Sequence, residues 1–435
     1  MKILNFSLPY STKILGLILL IIACISCSEE NDDDILEADD NEQIENDNLI
    51  VSGKPENNDF IVTASYESLF TVDAKTGQET LVYTFSDQTD IEKLADYDEG
   101  NLFVTTDDNS VNAINLANKN LLWSTPMLNY DTSSYGITPP ACVDGKCYAS
   151  GTYGVVVALD QNTGELLWYY STHPNGDLDN GLNENRTPVV HDDRVFVMSE
   201  ESFYGYFPTY LHILDKETGQ LLQKIEFPED IEVINEPLIV NDILYISAKN
   251  LYAIDLQSLE VIWIFEAEKL GDINILNNSL VVQGEPMRDT VYSSLFCLDS
   301  QTGELQWEIE TGFKAIWSPI IVENVVYGLY DKGSSLSFYD LRPYAVSLSN
   351  GEQLWFRDDI SVDNSPVYAY GQLFYHGHAI NYTDETKNNS GLMALNANNG
   401  NIDWLNPAYR FGTSMAPLVV GQNGVFGPSY YRGGN

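Results

Sequence analysis

One frame recurs eight times along this chain, and it leaves few folds open. Its clearest copies are VVVALDQNTGELLWYY (155–170) and SLFCLDSQTGELQWEIE (294–310). In each, an apolar strand ends in Asp, a short turn ends in Gly, and a second strand carries Trp eight residues after the Asp. The anchors are Asp73, Asn115, Asp160, Asp215, Asp255, Asp299, Ser347 and Asn396. Eight residues on stand Leu81, Trp123, Trp168, Gln223, Trp263, Trp307, Trp355 and Trp404, so six of the seven tryptophans serve the frame. Gly follows four after the anchor at Gly77, Gly164, Gly219, Gly303, Gly351 and Gly400. Lys119 and Leu259 break that rule, and their turns are expected to differ in shape. Anchor spacings of 40 to 55 residues match one four-stranded propeller blade.

The turn chemistry supports this reading. An Asp or Asn side chain accepts hydrogen bonds from N–H groups inside the turn, and Gly takes the positive φ that returns the chain. A Trp on an outer strand fills the wedge between twisted neighbouring sheets. Pro140, Pro188, Pro237, Pro319 and Pro366 open first strands, where no ladder donor is lost. The expected fold is all-β: an eight-bladed β-propeller of four-stranded antiparallel blades spanning 49–435. Because 59–65 has no inner strand before it, the segment 416–429 is expected to supply one and remove an exposed edge. Whether GVFGPS (424–429) pairs or caps is left open.

An apolar strand, Asp-Xaa-Xaa-Thr-Gly and a following Trp together resemble the pyrroloquinoline-quinone-type propeller repeat, over nearly all of 57–428. That family includes quinoprotein alcohol dehydrogenases and the lipoprotein subunit of the outer-membrane barrel assembly machinery. The dehydrogenases carry a vicinal Cys pair, a catalytic Asp and calcium-binding side chains over the ring centre. Here the cysteines are Cys24, Cys27, Cys142, Cys147 and Cys297, with no Cys-Cys. The resemblance therefore implies the non-enzymatic branch, with no catalytic residues, no cofactor and no metal. His376 and His378 share a strand face but have no third ligand in view. Asn175–Gly181 alternates oxygen side chains without the closing Glu of a calcium loop.

Ahead of the repeats, Lys2 and Lys13 flank the apolar run 14–25, which is too short to span a bilayer stably. It reads as a secretory signal over 1–26, and Ser26-Cys27-Ser28 resembles a bacterial lipoprotein signal in which Cys27 is acylated. Cys24 is the rival site. Residues 27–48 form an acidic tether, with eleven acids between 28 and 47 and no base. Like-charge repulsion keeps such a segment extended. The acids after Cys27 resemble the export signal that sends some lipoproteins to the cell surface. The whole chain carries −43; setting aside the two leader lysines and the eleven tether acids leaves −34 on 48–435. A body this acidic repels phosphate backbones, so nucleic acid is not an expected partner.

Two local expectations follow. Asp144-Gly145 is a hairpin signal that sets Cys142 opposite Cys147 at a non-hydrogen-bonded pair, where Cα atoms approach to about 4.5–5.5 Å. A disulfide is expected in an oxidising compartment, with two free thiols as the alternative, and Cys297 has no evident mate. The second concerns the working face. The turns VDGK, HDDR and VNDI are tight, while insertions at 171–186, 200–209, 284–291, 331–344 and 377–390 gather on the other face. They carry Phe203, Tyr204, Tyr206, Phe207, Arg288, Arg342, Tyr344, His378 and Tyr382, types enriched at interfaces. The bland alternative is that these aromatics pack the loops onto the ring. The expected function is a lipid-anchored scaffold binding an outer-membrane protein complex. A surface glycan receptor is the second reading, and a quinone-dependent dehydrogenase the third.

Overall fold

The computed structural model describes residues 2–3 and 59–426, apart from 87–88, 99, 128–136, 152–153, 173–182, 202–208, 228–234, 289–290, 314–316, 334–339, 380–389, 408–417 and 422–423. The described secondary structure is all strand. Each repeat contributes an antiparallel meander, as in repeat three with Ala141–Val143, Lys146–Gly151, Val155–Asp160 and Leu166–Ser171. Repeat one begins at Phe60–Ser65, whose inner neighbour is Leu418–Gly421, with Phe60 opposite Val420. Gly424–Phe426 pairs with that strand in turn, which answers the question left open by the sequence. A two-residue strand, Lys2–Ile3, lies beside Ile225 and Glu226.

The anchor side chains act as the sequence implies. Asp160 Oδ1 accepts from the backbone N–H of Asn162 at 3.0 Å and of Thr163 at 2.8 Å, and from Thr163 Oγ1 at 3.0 Å. Asp73, Asp215 and Asp299 repeat the arrangement. Hydrogen bonds from Thr163 and Thr218 hold the Asp160 and Asp215 carboxyls below their ordinary range.

What joins one repeat to the next is the indole. Trp123 Nε1 donates to Gln161 O at 3.0 Å, Trp168 to Lys216 O at 3.0 Å and Trp263 to Ser300 O at 3.0 Å. Trp307 reaches Leu348 O at 2.7 Å, Trp355 Ala397 O at 2.8 Å, and Trp404 of the last repeat Ala74 O of the first at 2.8 Å. Each acceptor is the residue just after the next anchor. The ring then lies against the Gly of that turn, where a Cβ would come within 2.5–2.9 Å of it. Within its own sheet the Trp stands opposite Ala113, Ala158, Ala253, Cys297, Ala345 or Ala394, side chains small enough to leave it room.

The two turns without Gly follow the two repeats without Trp. They do not differ in shape, contrary to expectation: Lys119 and Leu259 adopt φ of 60° and 57°, and their N–H groups close on Asn115 O and Asp255 O as the glycines do. With no indole arriving, a Cβ is tolerated. Where Gln223 replaces Trp, Ile213 stands opposite it in place of Ala and joins Leu259 in one apolar cluster. Repeat one differs more. Its bulge lies between Leu69 and Phe70, so Thr80 rather than Leu81 stands opposite Thr71 at the Trp position. A cleft of about 620 Å³ remains there, lined by Thr71, Thr80, Tyr97 and Leu116. Lys119 Nζ donates to Leu81 O at 2.8 Å across the same junction.

Equivalent turn positions should therefore respond with opposite signs. Gly164→Ala meets both positive-φ strain and the Trp123 ring and should cost about 2–4 kcal/mol in denaturant unfolding. Lys119→Gly relieves the same strain with no ring to meet and should be neutral or stabilising by up to about 1 kcal/mol.

Candidate functional site

The expected working residues fall into three groups. Phe203, Tyr204, Tyr206, Phe207 and Tyr382 lie outside the described residues, as do Cys24, Cys27 and the 175–181 loop. Arg288 is exposed and paired with Glu308 at 2.5 Å. His378 is half-buried on the strand Gln372–Ala379, opposite Ser361 and Ser390. Arg342 and Tyr344 are corrections, being only 5 % and 4 % exposed. The strand Leu341–Ser347 begins earlier than the insertion reading allowed, so both are ladder residues opposite Tyr330 and Gly328. Arg342 is clamped by Asp340 at 2.6 Å and donates to Ile360 O at 3.3 Å. Tyr344 lies over Gly328, and burial raises its phenol.

The six Trp that define the frame are the inter-repeat bolts described above. Cys142 and Cys147 are joined by a disulfide, with Asp144 and Gly145 at φ of 52° and 76° in the hairpin turn. Cys297 is buried and free, its thiol pushed up to about 11 by burial.

A Ser–His–Tyr chain escaped the sequence reading. His212 Nε2 is 2.9 Å from Ser199 Oγ, and its Nδ1 is 3.0 Å from Tyr170 OH. The order matches a nucleophile, a base and an orienting group, but Ser199 and His212 are fully buried, so no substrate reaches them. Burial, with Lys224 adding to it, pushes His212 down to about 3 and keeps it neutral. It is a polar bolt between repeats three and four. His376 plays the same part against Thr63 of repeat one, at 3.2 Å, its pKa lowered to about 4 by burial.

Nearer the first strands, Ser318 donates to Asp272, whose carboxyl is raised by burial while Ser318 and Arg186 pull it down. Among the described residues no three His, Cys, Asp or Glu side chains gather to hold a metal. The described cysteines are not vicinal. The donor set among the described residues does not fit a quinone with its calcium ion.

Among the described residues two surfaces are open to partners. The outer strands of repeats one to seven expose large apolar side chains, from Leu81 in the first to Leu354 in the seventh, with Leu167 and Tyr169 in repeat three (46 % and 61 %), Leu222 in repeat four (52 %) and Ile262 in repeat five (47 %). Strand alternation explains this, since Trp168 points toward the next repeat and its neighbours point away from it. The other is a cleft of about 740 Å³ between repeats seven and eight, on the tight-turn face and lined by tyrosines.

Residues 49–265 and, overlapping them, 208–406 match the family described as outer membrane protein assembly factor BamB. The chain is 28 % identical over 140 residues to outer membrane protein assembly factor BamB of Legionella pneumophila (strain Paris), covering 30 % of this chain and 32 % of that one. It is 29 % identical over 127 residues to the dehydrogenase subunit of a quinone alcohol dehydrogenase from Gluconacetobacter polyoxogenes, covering 28 % and 16 %. The chain thus spans a third or less of the length of these relatives. Among solved structures, BamB from Moraxella catarrhalis aligns with a TM-score of 0.50 at 14 % identity, over 75 % of this chain and 96 % of that one. Quinohemoprotein alcohol dehydrogenase from Comamonas testosteroni aligns at 0.54 and 13 %, over 76 % and 70 %. At such identities the likeness establishes the propeller-type fold alone.

The buried histidines set a pH dependence. Unfolded imidazole takes a proton near 6.5, whereas folded His212 does so only near 3, so below 6.5 the unfolded state binds more protons and stability falls with pH. Between pH 7 and pH 5 the wild type should lose about 1–2 kcal/mol more than His212→Gln, read from urea midpoints.

Proposed function

Since the chain belongs to the family of the outer membrane protein assembly factor BamB, we propose that it is a non-catalytic, protein-binding scaffold, an accessory subunit of an outer-membrane complex. In this reading the eight repeats form an eight-bladed ring closed through Leu418–Gly421, with Trp404 on Ala74 as its last inter-blade bolt. A lipid on Cys27 and the acidic tether hold the ring at the outer membrane, on its exposed side. The observation that carries the scaffold reading is the exposure of large apolar side chains, Leu167, Tyr169, Leu222 and Ile262 among them, on outer strands from repeat one to repeat seven of a strongly acidic body. Apolar side chains exposed on so many strands of a charged protein offer surface to a partner. The match to a quinone alcohol dehydrogenase subunit keeps an oxidoreductase as the second reading, and the misfit of the donor set weighs against it.

Crosslinking in native membranes followed by affinity capture tests the scaffold. Leu167→Glu, Leu222→Glu and Ile262→Glu together should lose at least about 90 % of a captured integral barrel protein with little change in melting temperature, since all three side chains are about half exposed. Undiminished capture would move the partner surface elsewhere. Cys27→Ser should shift the protein from the membrane pellet to the soluble fraction, as stable anchoring depends on the acyl chains; a Cys24→Ser variant that does so instead would assign the lipid to Cys24.

A further inference from the structure

We propose that the cleft between repeats seven and eight binds a neutral saccharide. This goes beyond the scaffold reading and stands on a different face of the molecule.

The first observation is the choice of residue at strained turn positions. Six described turns between first and second strands hold a non-glycine residue at positive φ: Asp144, Asp192, Asn241, Asn277, Glu323 and Tyr370. Asp and Asn tolerate that region, and four of the turns use them. The remaining two, Glu323 at 53° and Tyr370 at 54°, both line this one cleft. Tyr370 is 4 % exposed and packs with Val367, Phe374 and Leu392, which repays its strain. Glu323 is exposed, so burial does not repay its own, and a broken local rule of that kind points to what the side chain does.

The second observation is the chemistry of the walls. Tyr327 and Tyr368 are stacked, with ring centroids 6.2 Å apart and planes 22° from parallel, and Tyr368 is half-buried at the opening. Burial raises the Tyr327, Tyr368 and Tyr370 phenols, with nearby carboxylates adding to it, so all three stay protonated near neutrality. Gln372 is 5 % exposed and gives its Nε2 hydrogen to Asp403 at 2.8 Å, while its Oε1 has no hydrogen-bond partner. That leaves a buried acceptor at the wall of the cleft.

Together these select a ligand class. A volume of about 740 Å³ suits a small molecule or a short chain of sugar rings. The half-buried Tyr368 ring, backed by Tyr327 and Tyr370 at 3 % and 4 % exposure, can meet the C–H face of a pyranose, and carboxylate and amide oxygens take its hydroxyl protons. Glu323 and Asp403, on a body of −34, repel phosphates and uronates, with Lys75 the lone lining cation. The walls are hairpin turns, so a peptide finds no strand edge to extend.

The test is calorimetric titration of the purified full-length protein with maltohexaose, cellohexaose, xylohexaose, mannohexaose and chitohexaose. At least one should bind with a Kd at or below about 1 mM. Tyr368→Ala should weaken it at least tenfold. Glu323→Asn should weaken it too while raising the melting temperature by about 1–2 °C, because Asn suits the turn. Binding by none of the five at about 10 mM overturns the proposal, as does binding that Glu323→Asn leaves unchanged. Neither result bears on protein capture by the outer strands, so the two readings fail separately.

Discussion

The whole array depends on an indole from one repeat seated on the turn of the next. The contact carries a large apolar area, one hydrogen bond to a carbonyl and a requirement for a bare Cα beneath the ring. Removing one such Trp from a buried site costs about 3–5 kcal/mol, a large share of the margin that holds most proteins folded. The same contact dictates three positions at once: the Trp, the small residue opposite it and the Gly of the following turn. Strand pairing alone leaves one sheet unaware of its neighbour's identity. The indole supplies that information.

Around it, buried polar side chains tie sheets together at depth. Ser150 donates to Arg186 O, Asn235 to Leu270 O and Gln283 to Leu329 O, each across a junction. With His212 and His376 these bonds give buried polar groups partners across the junctions. Buried polar groups of this kind are costly when unpaired, so they fix which repeats are neighbours as firmly as the apolar contacts do.

Much of this was legible in the sequence, for a physical reason. A turn that needs an acceptor, a hydroxyl and a positive-φ residue writes them four positions apart, so Asp160, Thr163 and Gly164 announce their own geometry. Cys142 and Cys147 were legible because a two-residue turn fixes register. What was not legible depends on contacts between segments far apart. Leu81 was counted at the Trp position, because a bulge displaced by two residues cannot be seen in one strand. Arg342 and Tyr344 were placed in a loop, because only the pairing with Val325–Asp331 reveals where the strand starts. Lys119 and Leu259 looked like faulty turns, and became intelligible only beside the missing indoles of the preceding repeats. The strain at Glu323 gains a meaning only once its turn is seen to line a cleft with Tyr368 and Gln372, far along the chain.

The two junctions without an indole, between repeats one and two and between four and five, divide the array. One arc runs from repeat two to repeat four; the other runs from five through eight and, by way of Trp404, to one. Inside each arc every sheet is bolted to its successor, whereas between arcs the joint is a repacked apolar cluster at one place and an apolar cluster beside an unfilled cleft at the other. A body so divided has two seams, at which a repeat meets its neighbour through apolar packing without the indole that fixes every other junction.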